Sequence, residues 1–241
     1  MTVTIAYSDK KNKCAWMASD ACASDAFNKS IVKNLKVFHP VNRRDVLLGI
    51  AGTFRLQNLL QFVDGIFPDE NEVSTDDIDM SFLVNEFTPV IDALTSDFDD
   101  EDVWELLIAV GDRIYRMQMD LSIIEPGDTA DAIGIGGQVC LGAFKVLNEL
   151  SQDMNIEEQL IHALNIACSS CQGCMPPFTI MKTQQLPDEV LKNIKKDRKK
   201  GGYSIIRSKK ESNENNDGGI IEDVSNKHKK RKKKNLKYVY K

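Results

Sequence analysis

The run VLLGIAG at positions 46–52 contains no polar side chain and shows no alternation. A half-buried strand alternates, and an amphipathic helix repeats every three or four residues. A short unbroken apolar run ended by glycine therefore reads as a strand covered on both faces. The covering layers must come from the rest of the chain. Immediately downstream, Leu56, Leu59, Leu60 and Val63 recur at helical spacing, as do Leu83, Phe87, Val90, Ile91 and Leu94. Pro89 inside the second set predicts a kink or a late start for that helix.

Upstream, residues 2–7 and 14–19 read as strands around the polar turn 8–13, a hairpin with Thr2, Thr4 and Ala6 on one face. Residues 104–110 and 113–119 flank Gly111-Asp112, a two-residue hairpin signal, and residues 132–135 read as another short strand. Cys140, Phe144 and Leu147 mark a third helix. Leu160, Ala163, Leu164 and Ala167 mark a fourth, opened by Asn155 with Glu158 three residues later, and residues 178–181 form a closing strand. Strands, two helices, strands, two helices and a strand predict an α+β domain with helices outside stacked sheets.

The chain has 241 residues and 42% hydrophobic content, enough for one sizeable core with an appendage. Charge divides it. Residues 1–182 carry 13 Lys and Arg against 28 Asp and Glu, whereas residues 183–241 carry 18 against 8. This predicts a folded domain over 1–182 and a basic, largely disordered tail over 183–241, in which the run 227–234 repels itself. No stretch approaches the roughly 18 apolar residues of a membrane span, so no membrane partner and a cytoplasmic location are expected.

The six cysteines are too irregular for a secreted disulfide framework and read as free thiols. Cys168, Cys171 and Cys174 resemble part of an iron-sulfur run, but the fourth ligand is missing. Cys168 and Cys171 also continue the apolar face of Leu160 and Leu164, where cysteine serves as a small hydrophobe. His39, His162 and His228 are too dispersed for a ligand set, and the glycines at 134, 136 and 137 lack the ending of a phosphate cradle. Neither metal nor cofactor is expected.

Six segments, taken together in order, resemble the N-terminal-nucleophile hydrolases of the proteasome β-subunit type. They are TVTI at 2–5, MASD at 17–20, LKVF at 35–38, VLLGIAG at 46–52, AIGIGG at 132–137 and the helix bearing Ala163-Leu164. The resemblance covers residues 2–182 and extends to bacterial proteasome-like peptidases and phage-type relatives. It implies a four-layer αββα sandwich of two stacked antiparallel sheets flanked by helices. It further implies a threonine-type peptidase acting on peptides or unfolded proteins, assembled as a homo-oligomeric ring, with a separate ATPase as a further partner. Two rival readings are a noncatalytic shell or scaffold subunit and, less favoured, a nucleic-acid binder acting through the basic tail.

The residue roles implied are chemical. A threonine hydroxyl is a poor nucleophile until a base takes its proton. A free α-amine, with pKa about 7.7–8.0, is such a base on the same residue. Thr2 would gain one on loss of Met1. Thr4 lies at the family's usual spacing of 16 residues from Asp20, but its amine is freed only by cutting away three residues. Thr2 is therefore the expected nucleophile. The resemblance assigns Lys36 to favour the alkoxide, Asp20 to keep that lysine charged, and the Gly49 N–H to hold the oxyanion. Lys36→Ala is expected to stop hydrolysis and leave the fold intact. Ile135 and Ser169 stand where the family commonly has a supporting serine and aspartate, which implies reduced or differently tuned activity.

Overall fold

The computed structural model describes residues 2–24, 28–99, 101–151 and 153–184. Of the predicted basic tail over 183–241, residues 185–241 lie outside the described residues. Thr183 is buried, its N–H donates to the Ala15 carbonyl and its Oγ1 to the Gly111 carbonyl.

The opening hairpin pairs β1 (Thr4–Asp9) with β2 (Cys14–Asp20), Thr4 opposite Ser19 and Asp9 opposite Cys14. A small ladder follows, β3 (Cys22–Ser24) with β4 (Lys29–Ile31). β5 (Val37–Phe38), β6 (Val46–Gly52), β7 (Trp104–Val110), β8 (Arg113–Gln118) and β9 (Ile123–Ile124) form a five-stranded antiparallel sheet in chain order. β10 (Ala130–Ile133) and β11 (Phe178–Lys182) then flank the hairpin, giving a second sheet of order β10-β1-β2-β11. The domain is α+β, built from antiparallel sheets and helices.

The run at 46–52 is buried on both sides, and its two faces serve different cores. Val46, Leu48 and Ile50 pack with Leu56 and Leu60 of α1 (Phe54–Phe62) and with Ile91 of α3 (Thr88–Thr95). Leu47 and Ala51 instead meet Ala6, Ala15 and Met17 of the other sheet. Alanines dominate that contact, which lets the two sheets approach closely. The outer face of the β1–β2 hairpin, through Ile5 and Ala18, packs on Cys140 and Phe144 of α4 (Gly137–Leu150) and on Leu160 and Leu164 of α5 (Ile156–Ser170). Asn155 caps α5 in the reciprocal box expected with Glu158. Among the described residues no helix is long and apolar enough to cross a membrane.

Several expectations shift, each for a physical reason. The strand read at 132–135 runs from Ala130 to Ile133, because Gly134 turns the chain at φ +81°. Helical structure begins at α2 (Met80–Phe82) and passes through a π-helical stretch, Leu83–Phe87, directly before Pro89. The Thr88 N–H and hydroxyl both reach the Leu83 carbonyl, so the wider turn accommodates the proline without ending the helix. β1 begins at Thr4 instead of Thr2, because the polar groups of residues 2 and 3 are engaged elsewhere.

Gly49 faces the inter-sheet contact, where a Cβ would stand 2.4 Å from Met17 Sδ and 2.8 Å from Thr4 Cγ2. Met17 is flexible and yields, whereas the β-branched Thr4 does not. Gly49→Ala should therefore lower unfolding free energy by about 1–3 kcal/mol, read as a drop in the urea midpoint. An unchanged midpoint would show that the sheets have room to spare.

Candidate active site

Asp20 is the last residue of β2, paired with Phe178 of β11, and its carboxylate is buried, 1% exposed. Its Oδ1 accepts from the Thr2 hydroxyl at 2.9 Å, the Val3 N–H at 3.0 Å and Lys36 Nζ at 2.9 Å. Its Oδ2 accepts from the Cys22 N–H at 3.0 Å and the Met175 N–H at 3.1 Å. Three backbone amides and a buried ammonium thus compensate the charge, which an isolated buried carboxylate lacks.

Lys36 precedes β5 and is 3% exposed. Its ammonium donates to Asp20, to the Cys22 carbonyl at 2.6 Å and to the Thr2 hydroxyl oxygen. Three partners for three protons fix its direction. The Thr2 carbonyl accepts from the Gly136 N–H at 3.3 Å, and a Cβ on Gly134 would stand 2.4 Å from that carbonyl. Gly134 is required there twice, by its positive φ and by the approach of Thr2. The Gly134 N–H in turn donates to Glu105 Oε2 at 3.2 Å, anchoring the loop to β7.

The structure brings Thr2, Asp20 and Lys36 together, and Thr2 and Lys36 line a cavity of about 310 Å3 with Ser24, Gly52 and Glu101 among its other walls. Thr4 lies apart: its hydroxyl donates to the Ile50 carbonyl at 3.3 Å, between the sheets. Gly49 also lies apart and corrects the expectation placed on its amide. Val37 is opposite Gly49, yet the bond between the strands there belongs to the next residues along, from the Ile50 N–H to the Lys36 carbonyl at 3.0 Å. Antiparallel neighbours alternate, so the Gly49 N–H points to β7 and is spent in the sheet. The Thr53 N–H, bonded to the Val103 carbonyl, repeats the same parity. The Gly52 N–H faces the other way, past the end of β5.

Ile135 is 58% exposed, and Ser169 bonds the Ile166 carbonyl of its own helix at 2.8 Å. Neither side chain bonds the Thr2 cluster. Sequence reasoning missed the amides of Val3, Cys22 and Met175, which leave no side-chain signature, and Ser24 and Glu101, which belong to no quoted segment. Among the described residues no group of three His, Cys, Asp or Glu is arranged to hold a metal.

No family model matches the sequence, and no curated protein matches it. Solved structures do. The fold is similar to Thiobacillus denitrificans BPH in complex with Epoxomicin, at TM-score 0.58 and 17% identity over 78% of this chain and 100% of that one. It is similar to eukaryotic HslV from Trypanosoma brucei at TM-score 0.54 and 16% identity over 75% and 98%. Anbu (ancestral beta-subunit) from Yersinia bercovieri matches at TM-score 0.56 and 14% identity over 85% and 100%. The chain has the fold of the proteasome β-like N-terminal-nucleophile hydrolases.

The burial of Lys36 changes one expectation. Lys36→Ala leaves the Asp20 carboxylate buried without its cation, so it should cost about 3 kcal/mol of stability. Chemical denaturation of the variant checks this, and a wild-type midpoint would mean that the three amides alone compensate Asp20.

Proposed function

We propose that this chain is a threonine-type N-terminal-nucleophile hydrolase that cleaves peptide bonds, within an αββα sandwich. The observation that carries the reading is the buried contact of the Thr2 hydroxyl with both Lys36 and Asp20. Once Met1 is removed, the α-amine of Thr2 takes the hydroxyl proton as the oxygen attacks the substrate carbonyl. Lys36 stabilises the negative charge developing on that oxygen, and Asp20 holds Lys36 cationic and oriented. The oxyanion donor comes from an amide facing the cavity, and Gly52 supplies it in place of Gly49. Collapse of the tetrahedral intermediate expels the amine half of the peptide, which takes the proton held by the α-ammonium, and leaves an ester on Thr2. Water hydrolyses that ester, with the same α-amine as base.

Peptides or unfolded proteins are the substrates, and the working unit is a homo-oligomeric ring served by a separate ATPase. A noncatalytic shell subunit is the second reading, favoured by the exposed, inert Ile135 in the loop whose Gly136 N–H holds the Thr2 carbonyl.

Thr2→Ala should reduce hydrolysis of fluorogenic peptides to background while the urea midpoint falls only modestly. Wild-type turnover should rise with pH as the α-amine loses its proton and becomes a base. Turnover by Thr2→Ala would remove Thr2 as the nucleophile, and none by the wild-type chain lacking Met1 would favour the shell reading.

A further inference from the structure

Cys171 is the C-cap residue of α5, and the Cys174 N–H donates to its carbonyl at 3.4 Å, so residues 171–174 form a turn. Such a turn holds its end Cα atoms within about 7 Å, and a disulfide spans Cα separations of about 4.4–6.8 Å. Both sulfurs also address one loop. Cys171 Sγ donates to the Ile135 carbonyl at 3.9 Å. Cys174 Sγ lies 2.7 Å from where a Cβ on Gly136 would be. Two thiols three residues apart therefore rest against consecutive residues of the segment that holds Thr2.

The turn touches the cluster from its other side too. Met175, directly after Cys174, donates its N–H to Asp20 Oδ2 and accepts from the Ala21 N–H at 3.2 Å. The Gly136 N–H holds the Thr2 carbonyl. The turn thus braces both the nucleophile and its carboxylate, and its two cysteines take no part in the proposed hydrolysis.

We propose that Cys171 and Cys174 form an oxidative modification site, closed to an intramolecular disulfide by a hydroperoxide, and that closure releases the loop holding Thr2. Cys171 is partly exposed and Cys174 is 3% exposed, so the peroxide meets Cys171 first. The Cys171 thiolate attacks one peroxide oxygen; the S–O bond forms, the O–O bond breaks, and the departing oxygen leaves as alcohol or water after taking a proton. Cys174 then attacks the Cys171 sulfur, the S–S bond forms, and hydroxide leaves with the Cys174 proton as water. Two thiols lose two electrons and the peroxide gains them.

The order of attack has electrostatic support. Burial first, and the nearby Asp20 carboxylate second, push the Cys174 thiol up to about 12 and that of Cys168 up to about 11. Each stays protonated at neutral pH and makes a poor first attacker. In the disulfide, Cys171 Sγ can no longer donate to Ile135, and Cys174 Sγ is drawn off Gly136.

The effect on turnover rests on the hydrolase reading; the thiol chemistry does not. The full chain is treated with hydrogen peroxide, its remaining thiols are alkylated, and the linkage is mapped by mass spectrometry beside amide exchange. The expected result is loss of two hydrogens with Cys171 and Cys174 alone protected from alkylation, and faster exchange at the amides of Gly136 and Met175. Peptide hydrolysis should fall roughly a hundred-fold, as for a small misplacement of reacting groups, and return with dithiothreitol. Cys171→Ser should keep its turnover through peroxide. A linkage through Cys168 or Cys140, or a 171–174 linkage with unchanged exchange at both amides, overturns the proposal. If the reduced protein hydrolyses nothing, the hydrolase reading fails, while linkage and exchange still decide this one.

Discussion

The Asp20 carboxylate is the point at which four separate pieces of chain are tied together. Its five donors come from residues 2 and 3 ahead of β1, from the start of β3, from Lys36 ahead of β5, and from the approach to β11. Hydrophobic burial places two sheets face to face, but it is non-directional and cannot fix which side chains meet at their end. A buried carboxylate is demanding in a way that apolar packing is not, because every lone pair left unmatched carries a desolvation penalty. Satisfying it fixes the first residues of the chain, and with them Thr2.

The second constraint is the narrowness of the space between the sheets. Ala6, Ala15, Ala51 and Ala109 line it, and Gly49 offers no side chain opposite Met17 and Thr4. The glycine that sequence similarity placed at the oxyanion position therefore answers to packing. The strand that bears it delivers Ile50 and Gly52 to the cavity instead. Strand parity decides this, since a shift of one residue exchanges every amide between the two edges of the strand.

Much of the fold was legible because its signals were periodic or chemically distinctive. The unbroken run at 46–52 announced a strand covered twice, Gly111-Asp112 announced a hairpin, and Asn155 with Glu158 announced the start of α5. Strands of two or three residues, such as β5 and β9, were invisible, since so short a segment has no period to read. In the site, Thr2, Asp20 and Lys36 were legible from the segments that resemble the family, although Thr2 stands 18 residues from Asp20 where the family's usual separation is 16. The amides of Val3, Cys22 and Met175 were not, because any residue type presents the same N–H. The choice between Thr2 and Thr4, left open by counting, turns on strand pairing: Thr4 is the first paired residue of β1, and Thr2 stands free of the ladder beside Lys36.

The central claim is that Thr2, with a free α-amine, is the reactive residue of this cluster, and covalent labelling tests it most directly. The natively expressed chain is treated with a threonine-directed electrophile, its intact mass is measured, and the modified residue is located by peptide mapping. The account predicts a chain lacking Met1 alone and carrying one label on Thr2. A chain that retains Met1 and takes no label, or a mature chain that begins at Thr4 and carries the label there, would contradict it.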